Sequence, residues 1–261
     1  MRKGVTTPLS TLILIGTLIP IVVATAIFSA NMFEIQAQNS EFAYAEDFMV
    51  TLAQVVEDIS LYPGASSHVR LNSRVGRLNI FYLNGKNVTI EIAGSGESFN
   101  YVDDPPAIIE YSGGSLASAV DKVLRGSQTD VKIIRGGEIP LGRVVEFQQD
   151  GPKIRLDFMR IRVVPVGTVF SDELNKTVMV YEIHYIEIEY GGWIEKVKPA
   201  YVKIESANRT AEMMYLTDYM NVTLILPNNQ KIGPEQFTAD STDTILAILI
   251  VTTIRLTFVG G

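Results

Sequence analysis

The opening of the chain contains a run of 29 uncharged residues, Val5–Phe33. Only Arg2 and Lys3 precede this run, and Glu34 is the next charged residue. Within it, Leu9–Phe28 is nearly all apolar, and about 20 such residues span the core of a bilayer as a helix. The stretch is longer than the apolar core of an ordinary secretory signal, and no small-residue cleavage site follows it cleanly. The run therefore predicts a membrane-spanning helix, with a plain signal anchor as the alternative.

The charges that flank this run indicate its orientation. Arg2 and Lys3 lie before it, whereas the nearest charges after it, Glu34 and Glu41, are acidic. Positive residues stay on the cytoplasmic side of a membrane helix. We therefore expect the N-terminus inside the cell and the remainder of the chain outside.

Helical periodicity continues beyond the apolar run until Pro63-Gly64, a pair that ends a helix. A continuous helix over 9–60 would be roughly 75–80 Å long. Its continuation carries two neighbouring apolar stripes, one made of Phe33, Ala37, Tyr44, Phe48, Leu52, Val55 and Ile59 and the other of Phe42, Ala45, Met49, Ala53 and Val56. We expect one stripe to pack on the chain's own head and the other on neighbouring copies. The alternative is a stalk or a simple amphipathic helix that covers one domain.

The short basic segment Met1–Gly4, followed by Val5–Leu9, a long apolar helix and a β-rich head, resembles the archaeal type IV pilin-like superfamily of adhesion pilins and archaellins. Members carry a short basic leader that ends in a small residue, after which a membrane-embedded prepilin peptidase cuts. The resemblance implies cleavage between Gly4 and Val5. Bacterial pilins have a glutamate where this chain has Leu9, and this departure favours the archaeal branch.

The resemblance implies a leader at 1–4, a long helix at 5–62 that is first a membrane span and then filament core, and a β-rich extracellular head at 63–261. Its implied partners are further copies in a helical homopolymer, the prepilin peptidase, the pilus assembly machinery and, before assembly, the membrane. The residues expected to pack in the filament core are Leu12, Ile15, Leu18, Ile21, Val22, Phe28, Phe33, Tyr44, Phe48 and Leu52.

After Gly64 the apolar pattern changes from helical to alternating, which is typical of strands. Asn84-Gly85 between the runs 77–83 and 87–92 predicts a β-hairpin. The run 153–166 predicts one strand with a bulge. Ser115–Arg125 predicts the single short helix of the head, because Ser115 suits a helix start and Gly126 a helix stop.

The last apolar run, Thr244–Val259, has 16 residues. It is short for a second membrane helix, contains Arg255 and is rich in Ile, Val and Thr, so we interpret it as a long strand buried on both faces. The sequence therefore predicts an α+β protein in which a long N-terminal helix precedes an all-β head of the immunoglobulin-like sandwich type. The head is either one elaborated sandwich or two small ones.

The composition argues against most enzymes and against a nucleic-acid groove. There is no Cys, there are two His, and the formal net charge is −7. Without Cys there are no disulfides, iron–sulfur clusters or thiol chemistry. His184 and Glu182 share a strand face, but they are too few to hold a metal. We therefore expect no catalytic residues, no metal and no cofactor.

Four sequons place candidate N-glycosylation sites at Asn87, Asn175, Asn208 and Asn221. Chance gives roughly one or two such motifs in this composition. They are usable on an extracellular head and favour adhesion or surface attachment.

The alternatives to a filament subunit are a membrane-anchored minor pilin-like component or binding protein outside the filament body, and an anchored extracellular enzyme that acts through a carboxylate pair.

Overall fold

The computed structural model describes residues 6–71, 73–83, 87–103, 105–172, 174–193, 199–239 and 244–260. Within them the chain forms one long helix, α1 (Thr6–Ser60), and then fifteen strands. The expected α+β class, a long apolar N-terminal helix before a β-rich head, is confirmed. The strands are β1 (Ser66–Arg70), β2 (Arg77–Tyr82), β3 (Val88–Ala93), β4 (Ser98–Asp103), β5 (Ala107–Ser112), β6 (Lys122–Arg125), β7 (Ile133–Arg135), β8 (Arg143–Gln148), β9 (Pro152–Asp157), β10 (Ile161–Ser171), β11 (Lys176–Trp193), β12 (Pro199–Thr217), β13 (Tyr219–Ile225), β14 (Lys231–Thr238) and β15 (Thr244–Gly260).

The strands form three sheets. The largest has six strands in the order β1-β12-β15-β11-β10-β7, the second five in the order β2-β5-β9-β8-β6, and the third four in the order β14-β13-β3-β4. The closing strand β15 lies inside the largest sheet, antiparallel to β12 and parallel to β11. Most of its side chains are buried. The prediction of a long interior strand over Thr244–Val259 is therefore confirmed.

The hairpin predicted around Asn84-Gly85 is wrong in its pairing. β2 pairs with β5 in the five-stranded sheet, whereas β3 pairs with β13 and β4 in the four-stranded sheet. Asn84-Gly85 itself lies outside the described residues. Alternation identifies a half-buried strand, but the partner of the strand depends on which core its apolar face covers.

Two further predictions are corrected. The segment 115–125 is not a helix, since a turn at Ser115-Leu116 leads to β6, which pairs with β8. The run 153–166 is not one bulged strand, since β9 belongs to the five-stranded sheet and β10 to the six-stranded sheet. In both places a tertiary surface overrides the local pattern.

Arg160 lies at the corner where the chain passes from β9 to β10, and only 2% of it is exposed. Its Nη1 donates to the Asp157 carboxylate at 2.6 Å and to the Asp157 carbonyl at 3.2 Å. Its Nη2 donates to Asp130 Oδ1 at 2.7 Å. A buried guanidinium is stable only with such partners, so this cluster fixes the corner between the two sheets.

Two apolar cores lie on opposite faces of the six-stranded sheet. On one face, residues such as Leu256 pack with the C-terminal half of α1 and with the five-stranded sheet. On the other face, residues such as Leu249 pack with the four-stranded sheet. The head therefore consists of sandwich-like layers that share one sheet, and α1 is part of the first core.

Candidate functional site

The N-terminal part of α1 presents a bare apolar surface. Its large apolar side chains between Leu12 and Phe28 are 52–72% exposed. The most apolar 18-residue window of the helix has a mean hydropathy of 2.5, and none of it is buried. Thr17 and Thr25 donate their hydroxyls to helix carbonyls within the same segment, so these polar groups are satisfied internally. By length and composition, this helix is suited to anchor the chain in a membrane or to act as a signal sequence.

The helix enters the head in the region of residues 38–45. From Phe42 onward one side of α1 is buried, through side chains that include Met49 and Val56. The opposite side changes character after Tyr44, which is the last large apolar side chain exposed on the helix. Beyond it the exposed positions are polar, namely Asp47, Thr51, Gln54 and Asp58. The bare apolar surface of α1 therefore ends at Tyr44.

Glu41 fastens the helix to the head at this point. Its carboxylate accepts hydrogen bonds from the backbone N–H groups of Gly76 at 2.8 Å and Val75 at 2.9 Å. The hydroxyls of Ser73 and Tyr111 donate to it at 3.0 Å each. Glycine is required at 76 because a Cβ there would lie 2.0 Å from the Tyr111 hydroxyl oxygen. From the sequence, Glu41 was notable only as an acidic residue after the uncharged run, and only the structure shows it as the centre of this cluster, which we call the Glu41 clamp.

The environment of the clamp keeps Glu41 ionised. Burial by itself would raise the pKa of Glu41, but the hydrogen bonds from Gly76, Val75, Tyr111 and Ser73 together outweigh it and hold the pKa below its ordinary value. Burial raises the pKa of Tyr111, against an opposing effect of Ser73, and the nearby Glu41 carboxylate raises it further. The hydroxyl therefore stays protonated and remains a donor.

Two amide side chains of α1 extend this interface along the loop before β6. Gln38 Oε1 accepts from the backbone N–H of Leu116 at 2.9 Å. Asn39 Oδ1 accepts from the backbone N–H of Ser118 at 3.1 Å. The loop, where the sequence predicted a helix, therefore has two of its backbone N–H groups satisfied by α1.

Further along α1, two more acids pair with basic residues of the head. Glu46 contacts Lys122 at 3.1 Å. Glu57 contacts Arg125 at 3.1 Å and also accepts from the Gly142 N–H at 2.9 Å. Glu46 and Glu57 therefore bind the head of their own chain and hold it in a defined position along the helix.

The structure divides the residues predicted to pack in a filament core. Phe48 and Leu52 are buried in the chain's own head and are not available to another copy. The reason is that both predicted stripes fall on the one broad buried side of α1 beyond Phe42, which packs against the five- and six-stranded sheets. The other eight are exposed, namely Leu12, Ile15, Leu18, Ile21, Val22, Phe28, Phe33 and Tyr44. The predicted cleavage residues Gly4 and Val5 lie outside the described residues.

The four sequons lie in or beside strands. Asn87, Asn175 and Asn208 are exposed, and Asn221 is half-buried. Asn175 stands in a turn with a positive φ of 49°, so its side chain is part of an open loop. Three of the four therefore present an accessible acceptor nitrogen.

A metal site is not formed by the described residues, since nowhere among them do three His, Cys, Asp or Glu side chains come together. His184 Nε2 lies 3.0 Å from Glu182 Oε2, which is the strand pair expected from the sequence. Burial lowers the pKa of His184, against the opposing effect of Glu182. This pair alone offers too few ligands for a metal.

Replacement of Glu41 by glutamine is expected to destabilise the protein by about 1–3 kcal/mol at pH 7, because an amide N–H₂ then faces the donors of the clamp. The pKa of Glu41 is lowered in the folded state, so its contribution is complete above the ordinary value of 4.5 and is lost as the pH falls through the folded value. The difference between wild type and Glu41→Gln should therefore shrink below about pH 4.5. Denaturant unfolding across pH measures it, and a difference that stays constant would contradict the clamp.

Comparison of the chain with models of known protein families, with curated proteins and with solved structures gave no match in any of the three. What the chain does is therefore inferred from its residues and its geometry.

Proposed function

We propose that this chain is a structural subunit of an archaeal, type IV pilus-like extracellular filament, which polymerises through α1 and serves adhesion or surface attachment. The observation that carries the proposal is the bare apolar surface of α1 between Leu12 and Tyr44 on a helix fastened to a β head. Such a surface is unfavourable in water and must be covered once it leaves lipid. In the filament, α1 helices of other copies would pack against this apolar surface and exclude water from it.

The position of the bare surface favours an open polymer over a closed dimer. It occupies one end of an elongated chain, whereas the head occupies the other. Contacts between unlike surfaces propagate into helical filaments when the rotation does not close a ring. Along the polar exposed positions from Asp47 to Asp58, α1 is not expected to contact a neighbouring helix.

Before assembly, the same segment would reside in the cytoplasmic membrane with its N-terminus inside. The prepilin peptidase would cut between Gly4 and Val5 and release the mature chain for assembly. The accessible sequons at Asn87, Asn175 and Asn208 suit a head displayed on the cell surface. In this proposal the membrane is a temporary location of the helix.

A second candidate is a membrane-anchored minor pilin-like component or binding protein that does not form the filament body. The observation that favours it is the same helix, which is long and apolar enough to remain in a bilayer. In that case the bare surface contacts lipid permanently, and the mature chain is found in the membrane fraction.

The substitution Gly4→Asp is expected to abolish processing, because the leader would then end in a charged side chain where the peptidase accepts a small residue. Unprocessed chains should accumulate in the membrane, and surface filaments should be almost absent. Electron microscopy of the cell surface and N-terminal sequencing of sheared filaments measure both effects.

The matched control is Gly4→Ala, which keeps a small residue and should leave filaments that begin at Val5. Filaments from the Gly4→Asp variant would overturn the proposed function. An intact Met1 in wild-type chains confined to the membrane fraction would support the second candidate.

A further inference from the structure

One end of the six-stranded sheet carries an apolar face that belongs to neither core. Side chains directly opposite each other on paired strands share a face, and the pairings place Tyr215 beside Leu246 and Met213 beside Ile248. Leu246 and Ile248 in turn pair with Val180 and Glu182 of β11. We call this surface the distal face, and its apolar members are Val164, Val180, Met213, Tyr215, Leu246, Ile248 and Ile250.

The exposure on this face is greatest at Met213 and Tyr215 on β12, whereas Val180 and Ile250 are buried. Met213 is 69% exposed, Tyr215 is also exposed, and Leu246, Ile248 and Val164 are half-buried. None of these five belongs to either apolar core. Within the described part of the chain, the face is therefore open on its outer side.

The opposite end of the same sheet provides an internal comparison. There the open face is formed by the odd-numbered side of β15, where Arg255 pairs with Glu189 and Glu205. Arg255 also forms an ion pair with Glu189 at 3.0 Å. An open sheet face normally has this polar character, whereas the distal face consists mainly of Leu, Ile, Val, Met and Tyr, with Glu182 and His184 of β11 as its polar members beside Ile248 and Ile250. A contiguous apolar patch of this kind marks an interaction surface.

The distal face continues the surface on which α1 itself packs. Even-numbered residues of β15 such as Leu256 lie under α1, and the helix ends where the Thr252 hydroxyl donates to the Ser60 carbonyl at 3.3 Å. From Thr252 back to Leu246 the same face runs on for roughly 20 Å at 3.3 Å per residue. A cleft of about 480 Å³ at this junction is lined by apolar residues such as Leu61 and Val164 and by charged residues such as Glu57 and Arg162. The sheet therefore has open space directly beyond the end of α1.

We propose that the distal face binds the uncharged segment of α1, Leu12–Phe33, of a second copy of this chain. This inference rests on the proposed function and adds that the head contributes a binding surface to the assembly. The second copy's segment has the same apolar chemistry as the part of α1 already seated on this sheet face. It is also the largest exposed apolar surface among the described residues.

The location of the face excludes the bilayer as its occupant. Phe33 and Ser60 are about 40 Å apart along α1 at 1.5 Å per residue, and the distal face begins beyond Ser60. A membrane that holds the segment before Phe33 does not reach it. Because the face and the segment lie at opposite ends of one chain, their contact is heterologous and extends a filament.

Two matched variants test the inference in the full chain. Met213→Glu places a charge at the β12 edge of the distal face, on a side chain exposed enough for the fold to tolerate it. Val102→Glu places the same charge on β4, at a side chain 48% exposed in the four-stranded sheet. We expect Met213→Glu to reduce the protein recovered in sheared filaments at least about tenfold, the factor that corresponds to about 1.4 kcal/mol at one contact. Val102→Glu should leave it unchanged.

A photo-crosslinking side chain at position 213 identifies the occupant directly. Filaments assembled from isotopically light and heavy copies should give intermolecular cross-links to residues between Leu12 and Phe33. Normal filament yield for Met213→Glu, or cross-links to a neighbouring head or to another protein, would overturn the inference and leave the proposed function standing. Wild-type cells without filaments would overturn both.

Discussion

Leu52→Ala is expected to lower the free energy of unfolding by about 3 kcal/mol, whereas Leu18→Ala on the same helix is expected to leave it within about 0.5 kcal/mol of wild type. Leu52 is fully buried in the core shared by α1 and two sheets, while Leu18 is 54% exposed. The same atoms are removed at both sites. Only at Leu52 does their removal leave a cavity, because no core surrounds Leu18.

Guanidinium denaturation of the full chain in detergent, followed by far-ultraviolet circular dichroism of the β head, measures this difference. A loss of about 3 kcal/mol is a large part of the 5–15 kcal/mol that stabilises a typical domain. Equal losses in the two variants would show that the head also packs on the N-terminal part of α1, contrary to the exposure of Leu18.

Arg160→Ala is expected to destabilise the head by about 3–5 kcal/mol, the cost of breaking a buried ion pair by removing one partner. Asp157 is itself buried and would keep its carboxylate without the guanidinium. Asp130 would retain Lys132 at 3.0 Å and Arg143 at 3.1 Å, so it is affected less. Most of the loss of stability is therefore expected to come from the unpaired carboxylate of Asp157, at the corner between β9 and β10.

The matched control is Arg255→Ala, which removes an exposed ion pair with Glu189. Exposed pairs contribute at most about 1 kcal/mol. Thermal unfolding of both variants should therefore show a large decrease in Tm for Arg160→Ala and a small one for Arg255→Ala. Similar decreases in the two would mean that the corner tolerates loss of its guanidinium.

Features set by local pattern were accessible from the sequence. The long helix followed from the absence of charges in Val5–Phe33 and from the helical spacing after it. The interior strand β15 followed from a run of Ile, Val and Leu that was too short to span a membrane. In both cases nearly all the information lies within the segment itself, since apolar residues in unbroken runs have few alternatives to burial.

Features that depend on residues distant in the sequence could not be predicted from it. Nothing near Glu41 in the sequence indicates that Ser73, Val75, Gly76 and Tyr111 converge on it. A carboxylate one position before the buried Phe42 is the single local signal. Likewise β2 and β3 alternate as hairpin strands do, but they cover different cores and therefore take different partners.

The sequence alone determined that the chain begins with a long apolar helix and continues as a β-rich head, because helix and strand periodicities are written in neighbouring residues. Tertiary structure alone decided how much of that helix stays bare. The two sheets cover one side of α1 from Phe42 onward and bury Phe48 and Leu52, and the apolar surface that remains ends at Tyr44. The same structure left the distal face uncovered, since α1 ends at Ser60, beside Thr252, while β15 extends past that point to Leu246. Burial depends on which distant segments meet, and spacing along one segment does not specify that.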